Sequence, residues 1–183
     1  MSGRPGAGPA VVIRDAAPAD LPIIQSIYAN HVLHGLASFE DVPPDAAEIE
    51  RRYRDVLARG LPYVVAECDA RVAGFAYAGP YRTRPAYRYT VEDSVYIAPD
   101  AVGRGFGQAA LGEIIRRVTA LGFRQMIAVI GDSGNRPSIR LHEQVGFRHA
   151  ATLQAVGFKF GRWVDSVLMQ LSLGPGDSRL PDR

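Results

Sequence analysis

Apolar residues recur along the chain with two different periods. Spacings of three and four positions predict α-helices, and four segments show them, at positions 20–35, 45–60, 107–122 and 135–146. Residues that favour helix ends flank these segments: Asp20 and Asp45 stand at the first two starts, and Gly35, Gly60 and Gly122 stand at the first three ends. The pattern therefore predicts four helices.

Continuous or alternating apolar runs predict β-strands between the helices. They cover positions 11–14, 63–67, 72–78, 87–97, 126–130, 163–173 and a stretch from 147 onward. The pair Asp69-Ala70 predicts a hairpin between the second and third strands, and Pro99 ends the fourth. The order of elements indicates an α+β fold, filed as α/β by some schemes, with a mixed sheet.

Length and composition fit one domain with a sizeable core. The chain has 183 residues, of which 47% are hydrophobic and 22% are charged. Glycine and proline accumulate near both ends. We expect a single domain over positions 10–173, with flexible tails at 1–9 and 174–183.

Charge and cysteine content argue against several functions. The 21 Lys+Arg and 19 Asp+Glu residues leave a net charge of +2, too small to argue for a nucleic-acid partner. No apolar run approaches the length of a membrane span, and the first residues lack the apolar core of a secretory signal. A single cysteine, Cys68, allows no internal disulfide and no multi-cysteine metal site. We therefore expect a cytoplasmic protein with no membrane contact.

A glycine-rich loop at positions 103–108 leads from the fourth strand into the third helix. The first turn of a helix has free N–H groups and a partial positive charge, and glycines let that backbone approach a ligand closely. Arg104 adds a positive charge. The loop therefore predicts a phosphate or pyrophosphate site.

Two familiar phosphate-binding loops fit this segment poorly. A Walker loop requires Lys and then Ser or Thr after its last glycine, where this chain has Gln108 and Ala109. A dinucleotide fingerprint spaces its glycines as G-x-G-x-x-G, whereas the spacing here is G-x-G-x-G. The loop alone also allows a plain connection between two elements, so its role depends on its context.

That context resembles the GNAT superfamily of acetyl-CoA-dependent N-acetyltransferases. Their motif is a strand, a glycine loop, a helix and a second strand, followed by Asn and a Leu-Tyr-Glu-x-x-Gly-Phe segment, which Asn135 and positions 141–147 resemble. Val102 stands where Arg or Gln is usual, and His142 stands where Tyr is usual. Segments 90–96, 138–143 and 156–163 resemble the phosphinothricin and methionine sulfoximine acetyltransferase branch of the family.

The resemblance covers positions 11–173 and implies both fold and activity. The implied fold is a twisted, mostly antiparallel sheet flanked by helices, with a central pair of parallel strands splayed by a β-bulge. The implied enzyme transfers acetyl from acetyl-CoA, its co-substrate, to the α-amino group of a small amino-acid-like acceptor by direct attack in a ternary complex. The resemblance also implies a site without a metal, a homodimer, and resistance to phosphinothricin-type antibiotics or herbicides.

Two side chains receive catalytic roles from the resemblance. Glu92 would deprotonate the acceptor amine, although a carboxylate on a strand can also be a solvated surface group. His142 would protonate the departing thiolate, or it would serve only in packing. Because Glu92 and Asp93 are adjacent, their side chains point to opposite faces of a regular strand.

Acetyl-CoA would be held by backbone groups as well as side chains. The resemblance assigns the oxyanion and the pantetheine arm to the backbone of Val95, Tyr96 and Ile97. It assigns a pantetheine contact to Asn135, whose side chain also suits a helix N-cap. It assigns the phosphates to the glycine loop, whose residues are Gly103, Arg104, Gly105, Phe106, Gly107 and Gln108.

A basic loop, which carries Arg82, Arg84 and Arg88, precedes the strand that carries Glu92. Arginine forks suit carboxylates and phosphorus oxyacids, which the implied acceptors contain. The resemblance implies an acceptor site formed by Phe39, Arg82, Thr83, Arg84, Glu92, Asp93 and Ser94.

Other functions stay open at this point. The same fold can act on protein or peptide amines, and a module that only binds acyl-CoA would need neither Glu92 nor His142. Cys68 is a poor candidate for an acetyl-carrying nucleophile, because no histidine lies near it in sequence. His31 and His34 have a metal-binding spacing but no evident acidic or cysteine partner.

Overall fold

Each apolar stripe in the sequence folds as a helix. In the computed structural model, which describes residues 11–181, the helices are α1 (Leu21–His34), α2 (Ala46–Ala58), α3 (Phe106–Ala120) and α4 (Arg136–Gln144). Asp45 caps α2, since its carboxylate accepts a hydrogen bond from the Glu48 amide at 2.8 Å. Asp20 precedes α1 without capping it, because its carboxylate instead binds the Arg14 guanidinium at 2.7 Å.

Seven strands of the described chain form one sheet in the order β1-β2-β3-β4-β5-β7-β6. They are β1 (Val12–Asp15), β2 (Tyr63–Cys68), β3 (Arg71–Pro80), β4 (Thr90–Ile97), β5 (Gln125–Gly131), β6 (Arg148–Lys159) and β7 (Arg162–Ser172). Neighbouring strands are antiparallel except β4 and β5, which are parallel. The expected mixed, mostly antiparallel sheet is confirmed.

The predicted hairpin forms, and the predicted fourth strand starts later than expected. Asp69 and Ala70 have φ values of 51° and 60°, as a tight two-residue hairpin turn requires. β4 begins at Thr90 rather than at position 87, because Pro85–Tyr87 forms a 3₁₀ turn. Proline fixes φ near the value of such a turn.

The core occupies both faces of the sheet. Val64 and Val65 are adjacent on β2 and both are fully buried, so each face of that strand is covered. α3 packs across β2, β3 and β4 and contributes the buried Leu111 and Ile114. α1 packs against α2 and β3, with Ile24 fully buried.

The parallel strands β4 and β5 separate part of the way along their length. Their pairing covers three residue pairs and ends at Glu92 and Ile127. β4 continues to Ile97 while paired to β3 in regular register, so the implied β-bulge is absent from the β3–β4 pairing. The implied splayed pair is therefore present. Beyond Glu92, the side of β4 that faces β5 has no partner strand.

The predicted tail at 1–9 lies outside the described residues, and residues 174–181 form short turns after β7. Between residues 11 and 181, no helix combines the length and apolar character needed to cross a membrane.

Candidate active site

The gap between β4 and β5 opens into two adjoining spaces. One is a long groove of about 1060 Å³, which we call the cofactor groove after the ligand expected there, and the other is a cavity of about 440 Å³, which we call the acceptor cavity after the expected acceptor. Both volumes suit small-molecule binding. The two spaces share the wall residues Ala37, Val95, Tyr96, Gly131, Asn135 and Ser138.

The glycine loop forms one end of the cofactor groove. Gly103 and Gly105 have φ values of 79° and 85°, which side chains disfavour, and a Cβ atom at either would meet no atom within 4 Å. α3 begins directly afterwards at Phe106, and no side chain caps it. Gly107 and Gln108 line the groove within the first turn. This open, positively polarised helix end fits a phosphate or pyrophosphate.

Along β4, successive backbone amides point alternately toward β3 and toward the groove. The Ala98 amide donates to the Ala73 carbonyl oxygen at 2.8 Å, and donors alternate along an antiparallel strand. The amide of Tyr96 therefore belongs to the ladder with β3, whereas the amides of Val95 and Ile97 point toward the open side. These two amides are free to serve the oxyanion or the pantetheine arm.

Arginines around the groove differ from the expectation. The Arg104 guanidinium lies over the Phe106 ring at 5.1 Å and lines a separate cavity of about 190 Å³ beside Cys68. Arg140 and Arg162 line the cofactor groove instead. The sequence predicts Arg104 at the phosphates, but its side chain does not line the groove, because the guanidinium lies over the aromatic face of Phe106.

Asn135 is the N-cap of α4, as predicted. Its Oδ1 accepts from the Ser138 amide at 3.3 Å, and its Nδ2 donates to the Gly131 carbonyl oxygen at 3.4 Å. The residue lines both spaces. It therefore fixes the start of α4 at the junction of the two spaces.

Glu92 is half-buried in the acceptor cavity at the point where β4 leaves β5. Burial raises its pKa to about 7, with a further rise from the neighbouring Asp93 carboxylate and a smaller decrease from the Arg82 guanidinium. A carboxylate with a pKa near neutrality suits a general base.

His142 and Asp93 form a buried pair beside Glu92. His142 Nε2 lies 3.0 Å from Asp93 Oδ2, and His142 Nδ1 donates to the Ser138 carbonyl oxygen at 2.7 Å. Burial lowers the pKa of His142, but the Asp93 hydrogen bond and charge outweigh it and raise the pKa. With both ring nitrogens occupied and a side chain 3% exposed, this geometry favours the structural alternative over a thiolate acid. Asp93 is likewise committed to His142 rather than free for an acceptor.

Phe39 and Ser94 both line the acceptor cavity. The loop that carries Phe39 is held by a buried lysine, because Lys159 Nζ donates to the Ser38 carbonyl oxygen at 2.7 Å. Burial lowers the pKa of Lys159, which is 2% exposed. Ser38 Oγ is hydrogen-bonded to the Tyr28 hydroxyl at 3.0 Å, which fixes the loop from its other side.

The basic loop is only partly brought to the site. Arg82, Thr83 and Arg84 are exposed, and none of them lines the acceptor cavity as the described chain forms it. Arg82 still acts on Glu92 through its charge. Arg88 is turned back on the loop, where it donates to the Pro85 carbonyl oxygen at 3.2 Å.

The sequence missed several groove residues. His31 Nε2 lies 2.9 Å from the Ile97 carbonyl oxygen, so α1 is fixed to the open side of β4. His34 also lines the groove, and Ser138 lies at the junction of the two spaces. The helical stripe placed the two histidines on α1, but only the fold shows which strand they meet. Among residues 11–181, no group of three or more His, Cys, Asp or Glu side chains is placed to hold a metal ion.

The chain is similar to acetyltransferases. Residues 27–147 match the model of the Acetyltransferase (GNAT) family. The chain is 54% identical to phosphinothricin N-acetyltransferase of Alcaligenes faecalis over 94% of this chain and 88% of that protein. It is 40% identical to L-methionine sulfoximine/L-methionine sulfone acetyltransferase of Pseudomonas aeruginosa over 89% of this chain and 95% of that protein.

A solved structure shows the same similarity in three dimensions. The chain superposes with a TM-score of 0.92 on a GNAT superfamily phosphinothricin acetyltransferase from Sinorhizobium meliloti, crystallised in complex with AcCoA. The two are 46% identical, and the match covers 94% of each chain.

Proposed function

Because the chain belongs to the GNAT family of acetyltransferases, we propose that it acetylates the α-amino group of a small amino acid analogue of the phosphinothricin or methionine sulfoximine type. Acetyl-CoA is the co-substrate. The observation that carries this proposal is the position of Glu92, in a cavity of small-molecule size that joins the cofactor groove. Such a cavity suits a free amino acid better than a protein tail.

The cofactor groove supplies the binding groups for acetyl-CoA. The amides at the start of α3, in the loop Gly103–Gly107, would bind its phosphates. Asn135 and the open amides of Val95 and Ile97 would bind the pantetheine arm and the thioester carbonyl. The Val102 side chain is exposed at the groove, so its backbone must serve where the family usually has Arg or Gln.

The acceptor enters as an ammonium, and Glu92 removes its first proton. The amine nitrogen then attacks the thioester carbonyl carbon, and the amides of Val95 and Ile97 donate to the oxygen that becomes negative. The C–S bond breaks as the C–N bond becomes an amide bond. The second proton of the nitrogen goes to the departing thiolate, so the step balances without a separate acid.

The acceptor's acidic groups would meet the basic loop. Arg82 is the arginine of that loop whose charge reaches Glu92, and the exposed Thr83 and Arg84 follow it in the chain. Phe39 would pack on the acceptor side chain, and Ser94 would contribute a hydroxyl. An anionic group near Arg82 would also place the ammonium toward Glu92.

An acceptor panel tests this function. The full chain is incubated with acetyl-CoA and phosphinothricin, methionine sulfoximine, methionine sulfone, methionine or short peptides with free amino termini, and thiol release is followed. We expect release with the phosphinothricin and sulfoximine acceptors. Faster release with peptides would support the protein or peptide alternative. Acetyl-CoA binding without release for any amine would support a non-catalytic acyl-CoA module.

We also propose a homodimer formed through the hairpin of β6 and β7. β6 is an edge strand, and the Phe158 and Trp163 rings lie 5.2 Å apart at 60% and 67% exposure. Exposed apolar side chains continue along the hairpin at Leu153, Val156 and Phe160. Edge strands and apolar patches of this kind are typical of interfaces between chains.

Light scattering after size exclusion tests the dimer. We expect the wild-type chain to elute as a dimer and Trp163→Glu as a monomer. Val42→Glu is the matched control, because Val42 is also exposed but lies outside the hairpin. A wild-type monomer at all concentrations would contradict the proposal.

We also propose that the protein is located in the cytoplasm. Cys68 is free and buried, as suits a compartment that keeps thiols reduced. Fractionation of cells that make the full chain tests the location, and recovery in a membrane or secreted fraction would contradict it.

A further inference from the structure

Beside Glu92 lies a buried ion pair that the acetyl transfer above does not use. Asp93 follows Glu92 on β4, and its side chain and that of His142 are 2% and 3% exposed. The Ser138 carbonyl oxygen can only accept, so His142 Nδ1 carries a proton. The contact between Nε2 and Oδ2 then holds one further proton. Wherever that proton lies, the net charge of the pair is zero.

The hydrogen bond between Asp93 and His142 lies at the point where β4 and β5 separate. Pairing between β4 and β5 ends at Glu92, so Asp93 is the first residue of β4 without a partner on β5. His142 lies on α4, the helix whose first turn carries Asn135 and Ser138 into both spaces. The bond therefore joins the strand of the base to the helix of the cofactor groove. Asp93 Oδ1 is buried without a protein partner.

We propose that Asp93 and His142 are a positioning pair for Glu92, which holds the open part of β4 against α4 and keeps a balanced charge next to the base. The inference rests on the proposed acetyl transfer for its kinetic consequence.

Several charges act on Glu92, and the Asp93 carboxylate of the pair is one of them. Burial raises the pKa of Glu92 most, the Asp93 carboxylate raises it further, and Arg82 of the basic loop lowers it. The Tyr77 hydroxyl on β3 interacts with Glu92, and Ile127 on β5 beside it is uncharged. Among the described residues that line the acceptor cavity, the other ionisable groups are His142 on α4, Glu40 and Tyr96. If the pair loses its shared proton, the negative charge of Asp93 acts on Glu92 without a compensating positive charge.

Two variants change this balance in opposite directions. In His142→Gln the new amide still donates a hydrogen bond to Asp93, but the charge of the Asp93 carboxylate is no longer balanced. The pKa of Glu92 should therefore rise, and the low-pH limb of the kcat/KM profile should move to higher pH by roughly one unit. In Asp93→Asn the like charge beside Glu92 is gone, so the limb should move to lower pH by a similar amount. A purely structural role predicts loss of activity without opposite shifts.

Carbon-13 NMR of the Glu92 carboxyl in the protein without substrates gives a second readout, independent of turnover. Glu92→Gln assigns the signal. If the proposed function fails, the opposite titration shifts should remain. If a single variant fails to fold, the double variant replaces the ion pair by two amides. It removes the Asp93 charge, which raises the Glu92 pKa in the intact pair, so we expect a Glu92 pKa below the wild-type value. Shifts in the same direction, or no shift in any folded variant, would overturn the proposal.

Discussion

The aromatic ring of Phe39 occupies the space that a side chain at Gly157 would need. A Cβ atom at Gly157 would stand 2.5 Å from Phe39 Cε2, and one at Gly131 would stand 3.0 Å from Phe39 Cε1. Phe39 also lines the acceptor cavity. A glycine at the end of β5 and a glycine on β6 therefore leave the space in which this wall of the cavity lies.

Gly157→Ala should displace Phe39 toward the acceptor. The added methyl group overpacks the contact at a cost of about 1–3 kcal/mol in stability. A displaced wall should lower kcat/KM for the acceptor by about tenfold or more, since small misplacements are costly in catalysis. Steady-state kinetics should show this loss while the Kd of acetyl-CoA stays unchanged.

Gly112→Ala is the control for this prediction, because a Cβ atom there meets no atom within 4 Å and Gly112 lies in α3. It should gain about 0.5–1 kcal/mol in stability and keep its kinetics. Unaltered acceptor kinetics in Gly157→Ala would show that the cavity does not depend on the position of Phe39.

The activity should depend on pH through Glu92. The base acts as a carboxylate, and burial raises its pKa to about 7, so kcat/KM should be full above neutrality and fall as pH decreases below about 7. Glu92→Gln should abolish this limb and lower kcat by about 10²–10⁴-fold, with the Kd of acetyl-CoA nearly intact. Glu143→Gln, on an exposed position of α4, should keep the wild-type profile. An unchanged kcat in Glu92→Gln would remove Glu92 as the base.

Gly105→Ala should weaken acetyl-CoA binding. Gly105 has a φ of 85°, and a side chain in this region costs about 1–2 kcal/mol, so the loop should relax away from the phosphates. Gly122→Ala is the matched control, because Gly122 has a φ of 87° and equal space but follows the other end of α3. Calorimetry should show a weaker Kd only for Gly105→Ala, although both variants lose stability. Equal affinities would contradict the phosphate role of the loop.

Local patterns predicted the elements well and the contacts between them poorly. Asp45 and the turn at Asp69 act within a few residues, so the sequence shows their roles directly. The bond of His142 to Asp93 joins positions 49 apart, and Lys159 reaches Ser38 over 121 positions. Only the folded sheet brings such partners together, so no periodicity indicates them. The roles of the buried pair and of the wall glycines could not be predicted for that reason.

The direction of a charged side chain was equally beyond the sequence. Arg104 lies in the glycine loop, yet its guanidinium lies over Phe106 and lines a different cavity. Arg140 belongs to α4 and faces the groove. Arg140 thus takes the place at the groove that the sequence suggests for Arg104.

Arg140→Ala should therefore weaken acetyl-CoA binding more than Arg104→Ala. A guanidinium in the groove attracts the phosphates through charge, and such an interaction decreases as salt screens it. We expect Arg140→Ala to raise the Kd of acetyl-CoA by about threefold to tenfold at low salt, the range that a single charge-assisted contact gives. The difference from wild type should become smaller as ionic strength rises. Arg104→Ala should leave the Kd and its salt dependence close to wild type, because its side chain lines another cavity. A larger loss for Arg104→Ala would mean that its side chain turns into the groove when acetyl-CoA binds.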